Sequence, residues 1–179
     1  VALVVFTIFK GVRIVPQGYK WVVQRLGKYS QTLEPGLNLI IPFVDDVAYK
    51  VTTKDIVLDI PSQEVITRDN AVLVMNAVAY INITTPEKAV YGIENYSWAI
   101  QNLVQTSLRS IVGEMDLDDA LSSRDHIKAK LKAAISDDIA DWGITLKTVE
   151  IQDIQPSNTM QAAMEAQAAA ERQRRATVT

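Results

Sequence analysis

The chain's single histidine, His126, follows Asp125 directly and stands three and four residues after Ser123 and Ser122. A hydroxyl, an imidazole and a carboxylate are the parts of a nucleophilic catalyst, in which the imidazole takes the hydroxyl proton and the carboxylate orients it. The spacing works against that use. Adjacent residues on a helix point to different faces, and no nucleophile elbow is present. An exposed, structural His126 is the expectation; a hydrolase built on Ser122 or Ser123, Asp125 and His126 is the alternative.

Carboxylates crowd the stretch 114–141: Glu114, Asp116, Asp118, Asp119, Asp125, Asp137, Asp138 and Asp141. They lack the spaced loop and central glycine of a calcium site, and helix caps and solvated faces account for half of them. The seven glycines form no G-x-G and no phosphate-cradling loop. The absence of cysteine excludes disulfides, thiolate catalysis and cysteine-based zinc sites. A net charge of -3 and aromatics outside any basic groove argue against nucleic acid. No catalytic residue, metal, cofactor or small-molecule substrate is expected, and the chain is expected not to be an enzyme.

The elements that would position such groups divide the chain into three kinds of material. At the front, "VALVVFTIF" is apolar and is followed by Lys10 and Arg13. Nine helical residues cover only about 14 Å, against a hydrocarbon core of about 30 Å. A signal peptide would carry its basic residues ahead of the run. The expectation is the C-terminal part of a transmembrane anchor over 1–10, made by Val1, Leu3, Val4, Val5, Phe6, Ile8 and Phe9; a core strand is the alternative. Lys10, Arg13, Lys20, Arg25 and Lys28 all precede the first acid, Glu34. That is a positive-inside signal, and it puts the bulk of the chain on the cytoplasmic side.

Residues 11–155 read as a folded body. "VRIVPQGYKWVVQRLG" predicts short strands around a turn at Pro16–Gly18, and Pro35-Gly36 predicts another turn. Leu37, Leu39, Ile40, Ile41, Phe43 and Val44 form an apolar patch split by Pro42. It reads as a buried loop or edge strand, or as a loop dipping into the interface of the same membrane. The stretch 50–70 predicts two strands broken at Pro61, and Asp69-Asn70 a hairpin into "AVLVMNAVAYINI", whose odd positions are all apolar. The period then changes to 3.6. Thr85-Pro86 opens a short helix. Ile100, Leu103, Val104, Leu108, Ile111 and Val112 make one apolar stripe, and Ile127, Leu131, Ile135, Ile139 and Trp142 another. Asp116 with Asp119, and Ser122 with Asp125, resemble capping boxes. Gly143 predicts a left-handed helix end. A return strand follows, with a bulge near Thr148, up to Pro156. From 156 to 179 the chain is Ala-rich and strongly helical by propensity. It reads as the start of a partnered helix, with Glu165, Glu171, Arg172, Arg174 and Arg175 as candidate contacts between copies.

Five segments in this order, "VPQGYKWVVQRLGKY", "LEPGLNLIIPFVDDV", "DIPSQEVITRDNAVLVMNAVAYINI", "LVQTSLRSIVGEMDLDDALSSRD" and "WGITLKTVEIQDIQPS", resemble the SPFH (band 7) domain of stomatins and prohibitins. Within it they resemble the stomatin-like branch, with the bacterial QmcA-type members nearest. The resemblance implies an α+β SPFH domain over 11–155 in two halves, with a boundary roughly at 60–85. A membrane segment would precede it and an Ala-rich coiled coil follow. It also implies a membrane-anchored scaffold of many copies, forming rings or cages that organise a membrane microdomain and regulate quality control through a membrane-bound AAA protease. The bacterial inner membrane is the implied location. Lys10, Arg13, Leu37, Leu39, Ile40, Ile41 and Phe43 would then lie near the bilayer. A soluble or peripheral protein-binding module is the competing reading.

Overall fold

Residues 1–178 are described in a computed structural model, with side chains for 1–157 and 161–176. Thr179, the last residue of the expected terminal segment, lies outside them. Helix α1 (Ala2–Lys10) opens the chain. Five short strands follow: β1 (Val12–Val15), β2 (Tyr19–Arg25), β3 (Lys28–Leu33), β4 (Gly36–Leu39) and β5 (Asp45–Thr52). Two long strands, β6 (Ile56–Ile66) and β7 (Val72–Ile83), lead to helices α2 (Pro86–Tyr91), α3 (Tyr96–Gly113), α4 (Leu117–Ser122) and α5 (Arg124–Ala140). Strand β8 (Ile144–Pro156) and helix α6 (Asn158–Val178) close the sequence. The sheets run β1-β4, β3-β2-β5 and β6-β7-β8. This is the α+β class that the sequence predicts.

The chain forms two compact units, each drawn from three separate stretches. The first holds residues 1–58, 80–100 and 136–148; the second holds 59–79, 101–135 and 149–179. In the first unit, Val15, Val23, Leu33 and Ile40 form a core against which Tyr19, Trp21 and Val47 pack. Strand β2 is the middle strand here, antiparallel to both β3 and β5, with a register shift beside Val23 in each pairing. Helix α2 is tied to this sheet by polar and ring contacts. Gln24 donates to the Tyr91 hydroxyl (2.7 Å) and Thr32 to Glu87 (3.1 Å), and the Tyr91 ring meets Tyr29 and Tyr49 edge-on.

In the second unit, Val104, Leu108 and Val112 of α3 and Ile127, Leu131 and Ile135 of α5 are fully buried, as the helical period predicts. Strand β6 is an edge strand, and one face of α3 runs beside it. Gln101 donates to the Asp59 carbonyl (2.9 Å), Gln105 to that of Pro61 (3.5 Å), and Arg109 to the Gln63 side chain (3.1 Å). The match is geometric. Four helical residues rise about 6 Å and two strand residues about 6.6 Å, so each helix turn meets every second strand residue. Side chains of α3 thereby occupy carbonyls that would otherwise invite another strand.

Three local expectations are corrected. The first is the break at Pro61: β6 continues through it. Proline lacks only an N–H, and an edge strand needs none on its outer side. The second and third are the capping boxes. Asp116 is the N-cap residue of α4 but makes no cap bond. Its carboxylate is gripped by Arg68 (3.1 and 2.7 Å), and Asp69, from the β6–β7 hairpin, accepts the Leu117 N–H (3.2 Å) instead. The cap is supplied from another element, which sequence spacing within one helix cannot reveal. Ser122 ends α4 rather than capping α5, and it donates to the Asp118 carbonyl (2.7 Å).

The β8 phase change is present. Ile144 and Leu146 are buried, then Val149 and Ile151, with the switch at Thr148. The period switches again before Ile154, where the Asp153 N–H is taken by the Asn76 side chain (2.9 Å). Gly143 has φ +68°, and a Cβ there would meet the Thr85 carbonyl oxygen at 2.5 Å. Its own carbonyl accepts the N–H groups of Thr84 and Thr85, both at 2.9 Å. Gly143→Ala is expected to cost about 1–2 kcal/mol for the left-handed backbone alone, and more for the overlap. Equilibrium unfolding in urea measures it.

Candidate functional site

The catalytic alternative finds no geometry. His126 is exposed, and among the described residues it makes no hydrogen bond to Ser122, Ser123 or Asp125. Among the described residues no group of three or more acids or histidines is placed to hold a metal ion.

The distinctive surface lies at the front of the first unit. The opening residues are helical, and Leu3, Val4, Val5, Phe6, Ile8 and Phe9 all face outward. The helix stops at Gly11 because the chain must pass close to β4. The Gly11 carbonyl accepts the Ile40 N–H (2.8 Å), and a Cβ on Gly11 would sit 2.2 Å from the Ile40 oxygen. Strands β1 and β4 then pair with Val12 opposite Leu39 and Ile14 opposite Leu37. Side chains alternate across a strand, so these four share a face. Ile14, Leu37 and Leu39 are largely exposed there, while Val15 and Ile40 turn to the core. Ile40 thus leaves the expected membrane-proximal set: it is only 7% exposed, because the alternation that turns Leu39 out turns Ile40 in. Ile14 is exposed on the same face as Leu37 and Leu39. Its neighbours in sequence gave no cue, since the signal is its pairing with Leu37.

Beyond β4 the chain makes a tight turn, with Ile41 exposed and Phe43 at its tip 83% exposed. Of the buried loop or edge strand expected over 37–44, the strand is present as β4, while the turn after it is not a buried loop: Ile40 and Asp45 go inward, Pro42 and Val44 are half-buried, and Ile41 and Phe43 are exposed. A shallow apolar cleft between turn and helix is lined by Thr7, Ile8, Leu39, Ile40, Ile41 and Pro42. Lys10 joins the two parts, its ammonium 5.2 Å from the Phe6 ring centre and 5.3 Å from that of Phe43. Arg13 folds back and donates to the carbonyls of Lys10 (2.7 Å) and Val12 (2.9 Å), where a cation suits a helix C-terminus. One unit therefore presents an apolar helix, an apolar strand face and an aromatic tip, edged by two cations.

The turn is anchored by Asp45, whose side chain has no exposed area. The Arg25 guanidinium beside it and the Ile41 N–H hold its carboxyl below the usual carboxylate range. Asp69 is lowered likewise, first by the Thr67 hydroxyl and then, against the cost of burial, by the Leu117 N–H. A carboxyl depressed in the folded state adds stability that is complete above its unfolded value, near pH 3.9, and lost as the pH falls through the folded value. The expected result is an acid-induced fall in unfolding midpoint confined below about pH 4. Asp45→Asn should make that limb shallower.

On α6, Glu165, Glu171, Arg172, Arg174 and Arg175 are all exposed, and Glu171 pairs with Arg175 at 3.3 Å. The exposed surface of this helix is mostly alanine, glutamine and charge, with Met164 as its one large exposed apolar side chain among the described residues.

A family model described as "SPFH domain / Band 7 family" matches residues 13–179. The chain belongs to that family. A relative in Methanocaldococcus jannaschii, an uncharacterized protein, is 42% identical over 176 residues, 98% of this chain and 88% of its own length. Human stomatin-like protein 2, mitochondrial, is 40% identical over 167 residues, 93% of this chain and 47% of its own. An uncharacterized protein of Mycobacterium tuberculosis is 40% identical over 179 residues, 98% of this chain and 47% of its own. The chain thus spans about half the length of the mycobacterial and human relatives. Among the described residues no helix is long and apolar enough to cross a membrane.

Proposed function

We propose that this SPFH-family chain is a membrane-associated scaffold, docked on a bilayer through α1 and the 37–43 surface. The observation that carries this reading is the grouping, within one unit, of exposed α1, Ile14, Leu37, Leu39, Ile41 and Phe43 beside Lys10 and Arg13. Apolar side chains with cations at their border match the boundary between acyl chains and anionic headgroups. The five family-like segments support the finer parts of the proposal. These are a single-pass anchor containing residues 1–10, a body on the cytoplasmic side of a bacterial inner membrane, and a place in the QmcA-type branch. The same segments support self-assembly into rings or cages through α6, organisation of a membrane microdomain, and regulation of a membrane-bound AAA protease.

The test is flotation of the chain with phosphatidylcholine vesicles, with and without phosphatidylglycerol, followed by mass measurement of the bound material. Scaffold behaviour predicts flotation that strengthens with anionic lipid, and an assembly of many copies. Protein that stays at the bottom of both gradients supports the soluble protein-binding module instead, and protein that floats as single copies supports the peripheral one.

A further inference from the structure

Phe43 is the unusual residue of this surface. Its φ is +72°, a left-handed backbone that a bulky side chain adopts only where its surroundings impose it. Glycine or asparagine would take that conformation more readily. The surroundings here are the bonds of Asp45. One carboxylate oxygen accepts from Arg25 Nε (2.8 Å); the other accepts from Arg25 Nη2 (3.3 Å) and from the Ile41 N–H (2.9 Å). The Asp45 N–H returns to the Ile41 carbonyl (2.9 Å), and the Leu26 N–H takes the Val44 carbonyl (3.2 Å). Residues 41–45 are closed at the base on both sides, so the Phe43 ring projects outward.

Closing a surface turn does not ordinarily require a buried carboxylate, and burying one is costly unless every lone pair is used. Here a solvent-excluded carboxylate, paired with a half-exposed arginine from β2, and a strained aromatic occur together in one five-residue turn. Both are accounted for if the position of the Phe43 ring matters. We propose that the Arg25–Asp45 pair is a positioning clamp. It holds Phe43 extended as a preformed wedge for an anionic lipid surface, so the tip is ordered on folding rather than on contact. Preorganisation of this kind strengthens binding without adding a contact. The inference rests on the bilayer-docking reading above. Lys10, seated against the Phe43 ring, supplies the cation that meets a headgroup as the ring enters.

The chain has no cysteine, so Phe43→Cys and Phe6→Cys each give one attachment point for a polarity-sensitive dye. Phosphatidylcholine–phosphatidylglycerol vesicles should shift the dye to the blue at both positions. Arg25→Gln should remove most of the shift at position 43, keep that at position 6, and weaken vesicle binding about ten-fold, as for a tip that is competent a tenth of the time. Arg25→Lys should fall between. The Arg25 side chain is 47% exposed, so both variants leave the core intact; should the glutamine variant not fold, the lysine variant carries the comparison. An unchanged shift at position 43 in these variants overturns the clamp and leaves the docking surface standing. No shift at either position without the Arg25 change overturns docking and clamp together. A shift that needs no vesicles and grows with protein concentration assigns the tip to a second copy, and overturns the proposal as well.

Discussion

Phe43→Asp is expected to weaken binding to anionic vesicles by about 10- to 100-fold. Burying a phenylalanine side chain in an apolar phase contributes about 1.5–3 kcal/mol, and each 1.4 kcal/mol is ten-fold in affinity. Phe43 is exposed in the free protein, so nearly all of that transfer is still available on binding. The aspartate adds repulsion from anionic headgroups, and it takes away the ring against which Lys10 rests. Ile41→Asp should act in the same direction with a smaller effect, because Ile41 is already half covered. Neither change touches the core residues Val15, Val23, Leu33 and Ile40. The unfolding midpoint should therefore stay close to that of the parent, and flotation or tryptophan-based titration reads the affinity. Equal binding by parent and Phe43→Asp would remove the tip from the docking surface.

Leu131→Ala is expected to destabilise the fold by about 2–5 kcal/mol. Leu131 has no exposed area and sits midway along α5 between Ile127 and Ile135, which are equally buried. The side chains between them are mostly charged or alanine, so few large apolar groups hold this helix. Removing one leaves a void that its neighbours fill only partly. For a chain of this size the unfolding midpoint should fall by about 4–20 °C. The urea slope should stay constant while the midpoint concentration drops, as it does when stability changes without a change in compactness. A loss below about 1 kcal/mol would mean that the site collapses around the smaller side chain.

Local periodicity carries most of the elements. The odd positions of 71–83 are buried without exception, and the apolar stripes of α3 and α5 face inward where the 3.6 period puts them. Gly143 and the Asp69-Asn70 turn follow from backbone chemistry: φ is +68° at the glycine and +64° at Asn70. Such features are legible because they depend on residues a few positions apart. The errors share the opposite cause. Asp116 looked like a cap in its own helix, but the bond is made by Asp69 from a distant hairpin. Pro61 looked like a break until β6 proved to be an edge strand with α3 beside it. Ile40 is grouped by sequence with Leu37, Leu39, Ile41 and Phe43 in one membrane-proximal patch, and only pairing with β1 fixes which side of this stretch faces the core.

By itself, the sequence determined the α+β class, the strand over 71–83 with the helices that follow it, the absence of a cysteine site, and a basic flank behind an apolar run. These depend on composition and short-range pattern. Tertiary structure alone decided how the residues are shared between two units, each gathered from three stretches. It also decided that Ile14 stands with Leu37, and that an arginine and an aspartate twenty positions apart close the turn that carries Phe43. Those outcomes turn on strand partners and on a buried charge finding its counter-charge. Both are long-range pairings whose energy exists only once the chain has folded.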